Sequence, residues 1–128
     1  MSTIGNGVDI IENFRINKAL KNEGFLKRVF SNEEIRLSFK YKNKTNYYAK
    51  RFDAKEAFYK ALGTGVRHGY NFKDITVKND KHGKPIIEIN NKVKKMVFTR
   101  YKLKKFKIHL SLSDEKKHSI AFVILDKA

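Results

Sequence analysis

Three charged side chains follow one another along the most apolar helical segment of the sequence. Asp53, Glu56 and Lys60 are spaced so that they share one narrow strip of a helix predicted from about Thr45 to Leu62. Large apolar side chains and alanines occupy most of the remaining circumference. A charged strip in such surroundings needs a charged partner, a metal ion or an opening to a ligand. An ordinary surface ion pair between Glu56 and Lys60 is the alternative and, from this helix alone, the commoner explanation.

Another carboxylate, Asp9, stands in a short apolar run between Val8 and Ile10. If this run is a strand, the Asp9 side chain projects to the face opposite that of its two neighbours. An aspartate that caps or turns the end of a strand is one explanation. The other explanation pairs Asp9 with Glu56 around a hard cation, because carboxylates, waters and phosphate oxygens are the usual ligands of Mg²⁺. The sequence spacing does not decide between them.

Two further features carry a weaker chemical signal. His109 shares one strand face with Ser111 and Ser113, and a structural or solvated histidine is the commoner interpretation of such a residue. The sequence Gly63-Thr64-Gly65 is typical of a helix C-cap. A phosphate-binding nest is a second interpretation of these glycines, although the P-loop pattern is absent.

These residues must be positioned by a mixed set of helices and strands. In the first half of the chain, the hydrophobic patterns and caps predict a strand at 8–11 and helices over 14–22, 31–40 and 45–62. In the second half, they predict strands at 75–77 and 86–89 joined by a turn at 80–84, and then a helix over 93–101. The last two strands, at 106–112 and 120–125, would be joined by a loop at 113–118. This order predicts an α+β class with antiparallel hairpins, in a single domain spanning residues 1–128. Lys55 points among the large apolar side chains of the central helix, so it must snorkel or pair.

The composition excludes several classes of protein. Without cysteine, the chain has no disulfide, no thiolate metal site and no cysteine nucleophile. No apolar run approaches the roughly 20 residues of a membrane span, and no signal-peptide pattern begins the sequence, so we expect a soluble, cytoplasmic protein without a membrane partner. The net charge of +16 predicts an anionic partner. Heavy use of Lys, Asn and Ile makes that charge a less specific signal.

Several segments occur together in the order typical of one known family. They are Gly7 to Glu12 with Arg15-Ile16, Arg51 to Gly65, Phe72 with Asp74-Ile75, Gly83-Lys84-Pro85, and His109 to Asp114 with the apolar last strand. Each segment alone is moderately specific, whereas the ordered set is highly specific and covers nearly the whole chain. This set resembles the holo-acyl-carrier-protein synthases.

The resemblance implies a fold and an activity. The fold would be the small, single-domain form of the 4′-phosphopantetheinyl transferase fold, with a long central helix packed on an antiparallel sheet. It would assemble as a homotrimer with active sites at the subunit interfaces. The activity would be transfer of the 4′-phosphopantetheine of coenzyme A to a serine of apo acyl carrier protein, releasing adenosine 3′,5′-bisphosphate, in support of fatty acid biosynthesis. Magnesium ion would be the cofactor and coenzyme A the co-substrate.

The resemblance also implies residue roles. Asp9 and Glu56 would bind Mg²⁺ and, with Lys60, form the catalytic group. Coenzyme A would contact Arg51, Lys60, Gly63, Gly83, Lys84, Pro85 and His109, partly from a neighbouring subunit. The acidic carrier protein would dock on basic residues of the first helices, namely Arg15, Lys18, Lys21, Lys27 and Arg28. The proton of the attacking serine would pass to Glu56 or to a water at the magnesium ion, and the sequence does not choose between them.

Two positions depart from the pattern of related proteins. Asp53 stands where the family usually has a small residue, so it is either an extra carboxylate behind the metal site or a residue that faces solvent. Ile11 stands where larger, two-lobed relatives have a further acidic ligand, which leaves two protein carboxylates for the metal.

Two other functions remain as alternatives. Lys102, Lys104, Lys105 and Lys107 alternate with aromatic residues between Arg100 and Lys107, a composition that suits a small RNA-binding or ribosome-associated module. A solvated loop leading into a strand is the preferred interpretation, and we expect no nucleic-acid partner. The other alternative is a non-catalytic assembly protein, which the presence of Asp9, Glu56 and Lys60 argues against.

Overall fold

Helices and strands occur in separate groups along the chain, and all strand pairs are antiparallel, as in the α+β class. The computed structural model describes residues 2–63 and 71–128. The elements in chain order are β1 (Thr3–Glu12), α1 (Asn13–Ala19), α2 (Glu23–Val29), α3 (Asn32–Leu37), a 3-10 turn (Ser38–Lys40), α4 (Lys44–Leu62), a second 3-10 turn (Phe72–Asp74), β2 (Ile75–Asn79), β3 (Pro85–Ile89), α5 (Asn91–Tyr101), β4 (Phe106–Asp114) and β5 (His118–Lys127). The predicted class is therefore confirmed.

Two antiparallel sheets support the central helix. One has the strand order β1-β5-β4, and the other is the hairpin of β2 and β3. On the inner face of the larger sheet, Ala121, Val123 and Leu125 are fully buried in one core with α4 and α5. The alternation of side chains along β5 thus turns its small and branched apolar residues toward the helix.

Helix α4 approaches β1 unusually closely because β1 contains glycines. A Cβ atom at Gly7 would collide with the carbonyl oxygen of Ala57, and one at Gly5 would collide with that of Ala61. The lack of side chains at these two positions lets the strand backbone lie directly on the helix backbone. Asp9 lies two residues beyond Gly7, on the same face of β1, so its side chain is turned toward α4.

Both ends of α4 are capped, and the C-terminal cap is the glycine that the sequence predicts. The Asn43 side chain accepts a hydrogen bond from the Asn46 N–H at the start of the helix. Gly63 has a left-handed conformation (φ 76°) and its N–H donates to the Lys60 carbonyl, which confirms the predicted C-cap. The neighbouring Thr64 and Gly65 lie outside the described residues.

A buried ion pair joins α4 to α3. The Lys55 Nζ atom lies 2.5 Å from Glu34 Oε1, and both side chains are fully buried. The ammonium also donates to the carbonyl oxygens of Val29, Phe72 and Ile75. Lys55 was expected either to extend its ammonium to solvent or to pair. The structure confirms that it pairs, since the ammonium is wholly inside the protein.

The structure differs from the sequence-based elements in four places. Helix α2 was not predicted, because Gly24 at its second position weakens the helical pattern; Asn22 caps it by accepting from Gly24 N–H and Phe25 N–H. Strand β1 begins at Thr3, before the apolar run, because its glycines pack on α4. The predicted helix over 14–22 ends at Ala19, and the loop predicted at 113–118 is shorter.

Candidate functional site

The two carboxylates predicted to lie together, Asp9 and Glu56, line one cavity within a single chain. A cavity of about 430 Å³ lies between β1, α4 and the first two helices. Its lining includes Asp9, Glu56 and Lys60 together with Arg15. The apolar side of the same cavity is formed by Ile10, Ile11, Ile16, Ala19, Phe25 and Phe52. The charged strip of α4 therefore opens to a space where a ligand fits.

Lys60 bridges the helix and the strand. Its Nζ atom lies 2.9 Å from Asp9 Oδ1 and donates a second hydrogen bond to the Val8 carbonyl oxygen at 3.1 Å. The ion pair formed by Lys60 is thus with Asp9 across the cavity, and not with Glu56 on its own helix. About half of the Lys60 side chain is exposed at the cavity mouth.

The electrostatics of the site disfavour a further negative charge. Burial, and then the nearby Asp9 carboxylate, raise the pKa of Glu56, and Lys60 partly opposes that rise. A raised pKa means that the ionised form of Glu56 is destabilised in the metal-free protein. A cation bound between the carboxylates would relieve this repulsion.

Asp53 lies beneath the same site, one helical turn before Glu56. Its side chain is 0% exposed, and no described residue donates a hydrogen bond to either carboxylate oxygen. Burial, followed by a contact with the Asp9 carboxyl, raises the pKa of Asp53 to about 10. The alternative in which Asp53 faces solvent is wrong, because the close approach of β1 encloses this side of α4.

The residues present fit a magnesium ion. Asp9 and Glu56 supply the hard oxygen ligands that Mg²⁺ prefers, and the unpartnered oxygens of Asp53 indicate that a polar or cationic group belongs beside them. Among residues 2–63 and 71–128, no group of three or more His, Cys, Asp and Glu side chains is arranged to hold one ion. The donor set therefore suits an ion that completes its coordination with water and substrate oxygens.

A second group of predicted residues lies around the β2–β3 turn, away from the cavity lining. Arg51 is only 4% exposed; its guanidinium lies 3.6 Å from the Tyr47 ring centroid and donates to Asn79 Oδ1. The Asn79 amide in turn donates to the Gly83 carbonyl. Arg51 thus braces the turn that carries Lys84 and Pro85. Gly83 has φ 85° and open space where a Cβ would lie, so its backbone conformation explains the glycine.

His109 is a third, separate group. It lies on β4 opposite Ile124 of β5, and its Nε2 atom is 3.1 Å from a carboxylate oxygen of Asp126. It does not line the cavity of Asp9 and Glu56. One chain alone therefore does not bring His109, the Gly83 turn and the carboxylates together.

The residues predicted to dock the carrier protein are all exposed, on the first two helices and in the turn between them. They are Arg15, Lys18, Lys21, Lys27 and Arg28. Arg15 also lines the cavity, so the basic surface reaches the carboxylates directly. Exposed Phe14 adds an apolar contact beside Arg15.

Some site residues were missed by sequence reasoning. Phe25 lines the cavity from α2, the helix that the sequence did not reveal. The signal was the cap residue Asn22 followed by apolar residues at Phe25, Leu26 and Val29, a helical spacing. Phe52 was assigned to an apolar helix face without a role at the site.

A larger cleft and the basic stretch near the C-terminus lie elsewhere. The cleft, of about 690 Å³, lies between β3 and β4 and is lined by Lys94, Lys104 and Lys105 over isoleucines. Its one acidic lining residue is Glu88, so it offers no pair of carboxylates for a metal. Residues 100–107 are divided among the end of α5, a loop and the start of β4. Within the described residues, no helix has the length and apolar character needed to cross a membrane.

Comparison with known proteins agrees with this geometry. The family model of the 4′-phosphopantetheinyl transferase superfamily matches residues 5–123. A holo-(acyl-carrier-protein) synthase of Pelagibacter ubique is 58% identical over 127 residues, which are 99% of each chain. The crystal structure of a holo-(acyl-carrier-protein) synthase from Neisseria meningitidis superposes with a TM-score of 0.87 at 34% identity, covering 98% of this chain and 100% of that chain.

A third relative was solved with its ligand. The holo-(acyl-carrier-protein) synthase of Bacillus anthracis, in complex with coenzyme A (3′,5′-ADP), superposes with a TM-score of 0.81 at 35% identity over 98% of both chains. The family match and the near-complete coverage by these relatives lead to one conclusion: the chain belongs to the 4′-phosphopantetheinyl transferase superfamily.

Proposed function

We propose that this protein transfers the 4′-phosphopantetheine arm of coenzyme A to a serine of apo acyl carrier protein. The serine hydroxyl oxygen forms a bond to the β-phosphorus of coenzyme A, the bond from that phosphorus to the bridging oxygen breaks, and adenosine 3′,5′-bisphosphate leaves. The observation that carries this proposal is the cavity in which Asp9, Glu56 and Lys60 meet beside Arg15. The coenzyme A complex of the Bacillus anthracis relative supports the choice of co-substrate.

The chain's own residues fit the needs of phosphoryl transfer, which are alignment and neutralisation of charge. Asp9 and Glu56 would hold Mg²⁺, which when bound neutralises the diphosphate and stabilises the leaving group. The ammonium of Lys60 uses two of its three hydrogens on Asp9 and Val8. Its third hydrogen can therefore donate to a phosphate oxygen at the cavity mouth.

The serine must lose a proton as it attacks. Glu56 lines the same cavity and would accept this proton directly or through a water at the ion. The apolar residues of the cavity, including Phe25 and Phe52, limit the water that competes for the phosphorus.

We further propose that three copies complete the site. On the outer face of the large sheet, Val8 and Ile10 are 53% and 59% exposed, and their register partners Phe122 and Ile120 are 40% and 39% exposed. Four adjacent exposed apolar side chains favour coverage by another protein surface. In such an assembly, His109 of one copy would approach the cavity of Asp9 and Glu56 in another copy. This would explain why His109 lies away from that cavity within a single chain.

The carrier protein would approach along α1 and α2. Five exposed cations there face an acidic partner and steer its encounter with the cavity, so association should weaken as salt rises. Arg15 is the cation nearest the carboxylates because it lines the cavity itself. The nucleotide of coenzyme A would lie toward Lys84 and Pro85 on the turn braced by Arg51.

The direct test is a transfer assay with coenzyme A, Mg²⁺ and apo acyl carrier protein, read by mass spectrometry. We expect the carrier protein to gain the mass of one phosphopantetheine arm. The Glu56→Gln variant should keep its circular dichroism spectrum and lose at least about 100-fold in turnover. Glu88→Gln, which removes the same charge from the exposed surface outside the cavity, should retain turnover. Absence of the mass gain with the unaltered protein refutes the proposal.

The docking surface is tested separately. Arg15→Glu should raise the Michaelis constant for carrier protein about tenfold or more, because it places a negative charge in the path of an acidic partner. Lys95→Glu on α5 makes the same charge change away from the cavity and should leave that constant close to its original value. Equal constants for both variants would remove α1 from the docking surface.

A further inference from the structure

Asp53 is a buried carboxyl group that the reaction outlined above does not use. It lies on α4 three residues before Glu56, so both side chains project from the same side of the helix. It is 0% exposed, and among residues 2–63 and 71–128 no group donates a hydrogen bond to either of its carboxylate oxygens. Buried polar groups in native proteins are almost always hydrogen-bonded, and each exception needs an explanation.

The surroundings of Asp53 show where it points. The charged groups that act on it are Asp9, Glu56 and Lys60, and Asp9 is near enough for contact. These are the groups that line the cavity. The Asp53 side chain therefore lies next to the charged residues of the cavity, on the side that is enclosed by the protein.

The missing partner of Asp53 is a polar hydrogen or a cation. The ammonium of Lys60 already binds Asp9 and the Val8 carbonyl. The proton of a neutral Asp53 can be donated to the nearby Asp9 carboxyl, but ionised Asp9 and Glu56 offer no hydrogen to the oxygens of Asp53, and neither satisfies Asp53 once it is ionised. Yet no three acidic or histidine side chains in the described part of the chain are arranged to grip one ion directly. A water molecule bound to the ion would give Asp53 a hydrogen to accept without requiring Asp53 to bind the ion directly. Such waters are available because Mg²⁺ keeps several of them in most protein sites.

We propose that Asp53 is a third acidic group of the metal site, which accepts a hydrogen bond from a water of the divalent ion held by Asp9 and Glu56. This inference rests on the proposed function, since it requires that the ion binds there. Asp53 is thus a positioning residue: it orients the ion's water and adds negative charge behind the two ligands. Groups of this kind commonly change metal affinity by 10- to 100-fold when they are removed.

The experiment measures Mg²⁺ binding by calorimetry to the full-length, metal-free protein without carrier protein. We expect the dissociation constant for Mg²⁺ to rise about tenfold or more in Asp53→Ala and in Asp53→Asn. Glu88→Gln, which removes one negative charge from the exposed surface, should bind Mg²⁺ like the unaltered protein. Glu56→Gln should lose most of the binding.

Thermal unfolding with and without Mg²⁺ separates this role from a merely structural one. Asp53→Ala should raise the melting temperature of the metal-free protein, because an unpartnered buried carboxyl is removed. Added Mg²⁺ should then raise the melting temperature of Asp53→Ala by less than it raises that of the unaltered protein. An equal rise in both would mean that Asp53 has no part in binding the ion.

The possible outcomes distinguish the two proposals. If Asp53→Ala and Asp53→Asn bind Mg²⁺ as tightly as the unaltered protein while Glu56→Gln does not, the role of Asp53 is refuted and the metal site stands. If the unaltered protein itself binds no Mg²⁺, with or without coenzyme A, the metal site is refuted and the inference on Asp53 fails with it.

Discussion

Replacing Lys55 by methionine should destabilise the protein by about 5 kcal/mol. The change keeps the length of the side chain but removes the ammonium that pairs with buried Glu34. Breaking a buried pair by removing one partner typically costs about 3–5 kcal/mol, because the other charge is left uncompensated. Lys55→Met also removes the donor to three carbonyl oxygens, those of Val29, Phe72 and Ile75, which places the loss at the upper end of that range.

Urea unfolding at pH 7 measures this loss. A matched control is Lys27→Met, which breaks an exposed ion pair with Glu23 on α2 and should change the free energy of unfolding by less than about 1 kcal/mol. Combining Lys55→Met with Glu34→Gln should cost less than the sum of the single changes, because no buried charge is then left alone. A Lys55→Met variant within about 1 kcal/mol of the unaltered protein would refute the reasoning.

Three further predictions concern the strand, the buried carboxyl and the outer face. Gly7→Val should destabilise the protein by more than about 3 kcal/mol in urea, because its side chain would meet the Ala57 carbonyl; Gly83→Ala, in open space, should cost only about 1 kcal/mol through its positive φ. Since the pKa of Asp53 is raised to about 10, its proton stabilises the metal-free fold at low pH and that stability is lost as pH rises. Thermal melts in chelator should therefore show stability falling between about pH 5 and pH 9, and a flatter profile in Asp53→Ala. Phe122→Glu should shift the protein from trimer to monomer in light scattering after size exclusion, and a trimer that persists would contradict the role of the outer face.

The sequence was sufficient for most elements because their patterns are local. The capping box at Ser31 and Glu34, for example, appears in the structure as predicted. The same holds for the C-cap of α4 at Gly63. These features depend on hydrogen bonds within a few residues of each other, so neighbouring residue types determine them.

The interior of the site could not be read from the sequence in the same way. Helical projection placed Asp53 on the charged strip but could not show that it is fully buried, because burial there depends on how closely β1 approaches. The pairing of Lys60 with Asp9 joins residues 51 apart in the chain. Glu34 carried a capping signal, and nothing local indicated that its carboxylate also receives Lys55 from another helix.

The outer face of the large sheet has a consequence for how the protein responds to ionic strength. Each copy carries a net charge of +16, so if copies pack through Val8, Ile10 and Phe122 as proposed, they must overcome mutual repulsion. At 0.1 M salt, dissolved ions screen charges that lie more than about 10 Å apart, which weakens this repulsion and favours self-association. The same ions weaken the attraction between the basic helices and an acidic carrier. At low protein concentration, turnover should therefore pass through a maximum as salt is added, where neither effect dominates.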